Sequence, residues 1–176
     1  MSSYSLAFRA VQVLGITGAA WLSGNISVLS MNAIPRLAHS GREHGATLNL
    51  VAKQWNSIYD TGKAQNPPIA ILITSSFLYL AWATRSGGPF FRQARSSCAR
   101  FYFAAALLTL SIVPFTLILM NSTNTALRKL AASSEESSRN ADVQSASLLE
   151  RWVTLNGIRG LLPLAGSVVG LIGALV

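Results

Sequence analysis

Four stretches of this chain contain no Asp, Glu, Lys or Arg: residues 10–35, 64–84, 101–127 and 160–176. The first three are long enough for the roughly 20 residues that a helix needs to cross a bilayer. The fourth is short at about 1.5 Å per residue against a hydrocarbon core about 30 Å thick. It reaches full length only by starting near Trp152, which takes Arg159 into the membrane. A chain with 51% hydrophobic and 11% charged residues and a mean hydropathy of +0.41 fits that reading better than a soluble domain. The expected fold is all-α, an integral membrane four-helix bundle with an amphipathic helix in the loop between spans 1 and 2.

The whole chain, 1–176, reads as one membrane domain with spanning helices at about 10–33, 68–85, 101–122 and 153–175. Apolar character continues through "ISVLSMNAIP", beyond the core of a secretory signal, so the first stretch is expected to be a retained span. In residues 46–60, Leu48, Val51, Ala52, Trp55, Ile58 and Tyr59 recur on one face of an amphipathic helix of about that length. Gly62 can end it, and Pro67-Pro68 suits the first turn of the second span. The Ser-rich connector 128–150 is too polar to bury a core.

The net charge of +8 resides in the loops, where it orients helices and meets anionic lipid rather than nucleic acid. The 85–100 connection carries Arg85, Arg92, Arg95 and Arg100 without an acid, which places it and both termini in the cytosol. Cys98 is the single cysteine, so no intrachain disulfide or cysteine-based metal site forms. His39 and His44, five apart in one loop, read as loop residues and are too few for a metal or haem site. No Gly-rich dinucleotide loop is present. "GSVVG" at 166–170 is a small-residue motif that either packs inside the bundle or joins copies of the chain into a homo-oligomer.

With four crossings, the end of helix 1, the start of helix 2, the end of helix 3 and the start of helix 4 lie on one side. The unusual polar residues all belong to that side. Asn25 and Asn32 are seven apart on helix 1; Thr116, Met120, Thr123, Asn124 and Leu127 share a face of helix 3; Trp152, Asn156 and Arg159 are spaced i, i+4, i+7 on helix 4. A cation facing lipid is expensive, about 2.5–3.5 kcal/mol for Arg at a helix centre on insertion scales. Arg159 therefore points inward or snorkels to the interface. Pro163 and Pro114 remove donors from the carbonyls of Arg159 and Leu110, and unsatisfied backbone at membrane depth lines protein or a cavity. Trp55, Tyr59 and Trp152 are either an interfacial aromatic belt or pocket walls; the asparagines are either interhelical glue or ligand contacts.

The segments "SGNISVLSMNAIP" (23–35), "QWNSIYDTG" (54–62) with Pro67, "VPFTLILMNSTNTAL" (113–127) and "WVTLNGIRGLLPLAG" (152–166), in this order and spacing, resemble the anthrone oxygenase family, small four-helix membrane proteins of fungal polyketide pathways. The resemblance implies oxidation of an anthrone, an aromatic polyketide, by O2 at its central methylene to an anthraquinone, with no flavin, haem or metal. A multi-pass protein of the endoplasmic reticulum or its vesicles is implied with it. In better-known members the position of Asn156 is often His; this chain departs there, which argues against proton transfer at that position.

Such chemistry needs a base, a cation or amide donors for the enolate, and an apolar aromatic pocket. The expected roles are Arg159 on the oxyanion, Asn124 and Asn156 on oxygen substituents, and Trp55, Tyr59 and Trp152 stacked on the flat rings. Asn25, Asn32, Thr116, Met120 and Thr123 are expected to line the pocket. The base is expected to be Asp60, its carboxyl raised by burial, ahead of His44 and His39. The alternatives are a membrane carrier or scaffold that binds an aromatic compound or a partner protein unchanged, and a different oxidation on the same fold.

Overall fold

The structure, a computed structural model, describes residues 4–43, 48–95, 97–133 and 139–176. They are almost entirely helical: α1 (Leu6–Val28), α2 (Ile34–Glu43), α3 (Leu48–Thr84), α4 (Cys98–Leu110), the single turn α5 (Ile112–Pro114), α6 (Asn121–Ala132) and α7 (Arg139–Leu175). Four helical segments are long and apolar enough to cross a membrane: Leu6–His39, Asn49–Thr84, Cys98–Leu119 and Ala146–Leu175. Helices are what such segments must form, because in hydrocarbon every backbone polar group has to be paired within the chain.

Two wide π-turns interrupt the ladders, at Leu29–Ala33 and Phe115–Leu119. In the first, the Ile34 N–H donates to Leu29 O, five residues back. Each π-turn has a proline beside it. Pro35 follows the first and Pro114 precedes the second, and a residue without an N–H leaves a gap that a wider turn can absorb. The stripe read as a separate amphipathic helix at 46–60 is instead the opening of α3, which continues past Gly62 and through Pro67 and Pro68. Those prolines withdraw donors from the carbonyls of Lys63 and Ala64, both on an exposed stretch of the helix.

The chain packs as two compact units. The first comprises residues 1–24, 66–113 and 160–176. Small residues let its helices approach closely. A Cβ added to Gly170 would lie 2.5 Å from Phe77 Cε1, and one on Gly166 would lie 2.7 Å from Thr109 Oγ1 and 3.1 Å from Ala105 O. The "GSVVG" motif is thus spent inside this unit, against α3 and α4. Its α3–α4 connection turns on Gly87, whose φ of +76° an L side chain rarely adopts. Tyr4, Phe8 and Phe90 form an aromatic cluster, with Tyr4 and Phe8 stacked 4.5 Å apart. A polar pair that the sequence pattern does not indicate is buried here: Gln12 Nε2 donates to Tyr102 Oη at 2.7 Å.

The second unit comprises residues 25–65 and 114–159. Its core is Ile34, Val51, Trp55, Met120, Leu127, Leu149 and Trp152. Asn49 ties α3 to the C-terminus of α6, its Nδ2 donating to Leu130 O at 3.0 Å and Ser133 O at 2.6 Å.

Candidate functional site

The second unit gathers most of the polar residues singled out by spacing. On α7, Trp152, Asn156 and Arg159 face one way, and each reaches across to a different element. Trp152 Nε1 donates to Asn124 Oδ1 on α6 at 3.0 Å. Asn156 is fully buried, and its Nδ2 donates to Ile26 O at 2.9 Å and to Ser30 Oγ at 2.7 Å. Its Oδ1 accepts from Arg159 Nη2 at 2.6 Å, while Arg159 Nη1 donates to Thr116 Oγ1 at 3.0 Å.

The two π-turns explain how these partners arrive. Ser30 lies in the first and Thr116 in the second, so each widened turn presents one hydroxyl to the Asn156–Arg159 pair. Asn156 is saturated by this arrangement: its amide donates twice and accepts once, which holds the guanidinium in a fixed orientation. Arg159 retains one buried donor, Nε, with no hydrogen-bond partner among the described residues. No carboxylate pairs with it there either. A half-buried cation held only by neutral groups is a site for an anion, since it lies where the effective dielectric is low and attraction is strong.

The aromatic residues surround the same region. Trp55 stacks on Tyr59, centroids 5.1 Å apart and planes 17° apart, and meets Trp152 edge-on at 5.8 Å. Trp55 and Trp152 are both buried, and Tyr59 covers one face of Trp55. Met120, Thr123, Asn124 and Leu127 form one buried face of α6, as their spacing requires.

Other expected residues are placed elsewhere. Asn25 is half-buried, whereas Asn32 is exposed. Seven residues return to the same face only along an unbroken α-helix, and Asn32 lies inside the π-turn at Leu29–Ala33. Asp60 is exposed and accepts from Asn56 Nδ2 at 3.0 Å, so the burial that would raise its carboxyl is not found. His39 is exposed, and His44 lies outside the described residues. Among the described residues, no three His, Cys, Asp or Glu side chains come together as metal ligands. Spacing misses Ser30 and the Ile26 carbonyl, although their four-residue separation is itself a helical signal.

Residues 55–169 match the family model described as anthrone oxygenase. The chain is 34% identical to an anthrone oxygenase of Aspergillus fumigatus, covering 94% of this chain and 92% of that one. It is 33% identical to a noranthrone monooxygenase of Aspergillus flavus, over 90% of this chain and 70% of the relative. An anthrone oxygenase of Claviceps purpurea is 30% identical over 93% and 87% of the two chains. No solved structure matches. The matched span contains the Trp55–Tyr59 stack, the Asn124–Trp152 bond and the Asn156–Arg159 pair, and the chain belongs to the anthrone oxygenase family.

Proposed function

We propose that this protein is a membrane oxygenase that converts an anthrone of aromatic polyketide origin to the anthraquinone with O2 and no added cofactor. Its relatives are named for anthrone oxidation, and the single observation that carries the mechanism is Arg159, held by Asn156 and Thr116 with Nε unspent. Deprotonation of the central methylene puts negative charge on the ring oxygen opposite it. A preorganised cation aimed at that developing charge stabilises the enolate, and removing one such donor typically costs about 10²–10³-fold in rate.

The electron balance needs no external reductant. The enolate carbon gives electrons to O2 and forms a C–O bond; the resulting hydroperoxide loses water as its remaining C–H proton leaves and the O–O bond breaks, giving the second carbonyl. One oxygen atom enters the product and the other becomes water. Arg159 serves the anionic stages, and Asn156 positions it. Asp60 is not assigned the base's role, because its carboxylate is exposed and engaged by Asn56.

The exposed apolar side chains of the spans, among them Trp21, Leu117, Ile118 and Leu175, are covered by lipid acyl chains. A cytosolic α3–α4 connection with both termini on the same side is the reading that the positive-inside rule favours, supported by exposed Arg85, Arg92, Arg95 and Arg100, and the endoplasmic reticulum or its vesicles is the simplest setting.

The test is O2 uptake by washed membranes containing the protein, given an anthrone and nothing else. One O2 consumed per quinone formed, above empty membranes, supports the oxygenase. Folded protein that binds the compound and leaves it unchanged makes it a carrier.

A further inference from the structure

Two indoles share the core of the second unit, and they use their N–H groups differently. Trp152 donates to Asn124. Trp55, edge-on to it, is fully buried, and its Nε1 has no hydrogen-bond partner among the described residues. Thr123, next to Asn124 and between Met120 and Leu127 on the buried face of α6, is in the same position: it is buried, and its Oγ1 has no partner among the described residues. Leaving a buried donor without an acceptor is costly, and buried polar side chains are rarely left so. An indole N–H can only donate, and a threonine hydroxyl donates freely. Unspent donors in an aromatic, apolar cluster are how a binding site orients a flat molecule that carries a few oxygen atoms.

We infer that Trp55 Nε1 and Thr123 Oγ1 read the phenolic oxygens on the outer rings of the substrate, and so set a preference for hydroxylated anthrones over the bare tricycle. This rests on the anthrone-oxidation reading, and it assigns these two residues a task distinct from that of Arg159. The cation serves the oxygen that becomes negative during reaction. The two neutral donors serve oxygens that do not change. A site built to hydrogen-bond a substituent discriminates against the analogue that lacks it, because its own donors then stay unpaired. Trp55 is thereby a hydrogen-bond donor to substrate rather than a stacking platform, since its face is already taken by Tyr59.

The experiment compares 1,8-dihydroxyanthrone with unsubstituted anthrone, using the full-length protein in membranes and reading kcat/KM for each. Trp55→Phe keeps an aromatic ring against Tyr59 and removes the N–H. Thr123→Val keeps the branched shape and removes the hydroxyl. Each variant is expected to lose about tenfold more on the dihydroxy compound than on the bare anthrone, mainly through KM. The intrinsic reactivities of the two compounds cancel in these variant-to-wild-type ratios. If Trp55→Phe does not accumulate as folded protein, Thr123→Val carries the same comparison. Equal losses on both compounds would overturn the proposal, as would a loss on neither. A wild type that oxidises neither compound removes the oxygenase reading itself, a result distinct from turnover without discrimination.

Discussion

In the first unit, hydroxyls mostly return to the helix that carries them: Thr17 to Val13 O, Ser76 to Leu72 O, Thr84 to Leu80 O and Thr109 to Ala105 O, each four residues back. Bonds from Gln12 to Tyr102 and from Ser167 to Ile16 O cross between helices there. In the second unit the exposed hydroxyls of Thr61 and Thr154 also bond back to their own helices, but the Asn156–Arg159 pair links α7 to both π-turns and the end of α1 as a connected set, and Trp152 bonds separately to α6. A bond back to the same helix neutralises a polar atom in lipid without fixing any neighbour. A bond across helices fixes orientation, and a connected set fixes one arrangement of side chains. Among the described residues, the second unit spends polar groups in that way around a cation. The first is built for close packing, the second for holding a charge.

The largest expected effect tests that division directly. Arg159→Ala should lower kcat/KM for an anthrone by about 10²–10³-fold, measured as O2 uptake, with the protein still present in the membrane. A loss of only a few-fold would mean that the second unit's network is structural glue, and the contrast with the first unit would collapse.

Asn156→Leu comes next. It deletes the bonds to Ile26 O, Ser30 and Arg159 while keeping the volume, so the guanidinium is released rather than removed. Misplacing a positioned group by about 1 Å can cost about 10²-fold, and a fall of about 10–10² in kcat with little change in KM is expected. A pure KM effect would instead make Asn156 a substrate contact.

The smallest effect on turnover belongs to the first unit. Gly170→Ala forces the Phe77 ring to move, at a cost of about 1–3 kcal/mol in stability. It should appear as a lower melting temperature in detergent, with kcat per folded molecule unchanged. If turnover falls in step with stability, the two units are not separable in function.

The spans are legible from the sequence because a charge-free run of sufficient length has few other uses. The grouping of Thr116, Thr123, Asn124, Trp152, Asn156 and Arg159 is legible too, since each set follows a regular helical period within its own element. Spacing cannot deliver anything that depends on a break in that period. It puts Asn32 on the face of Asn25 across a turn that holds an extra residue, and it overlooks Ser30 inside that same turn. Asp60 follows the buried Trp55 stripe in sequence but falls on its exposed outer side, where its carboxylate accepts from Asn56. Gly62 and Pro67-Pro68 carry stop and start signals that the continuous α3 overrides.

The π-turns also make chain length matter at two places. A wide turn carries more residues than the α-helical ladder around it requires. Removing one residue from 115–119 would let the ladder close in the ordinary way, keeping the flanking helical segments near their present register but taking away the widened turn that presents Thr116 to Arg159. Exchanging Leu117, Ile118 or Leu119 for another apolar residue alters only exposed apolar surface. In these two windows the number of residues is the constraint, and their identity matters chiefly at the one hydroxyl each supplies.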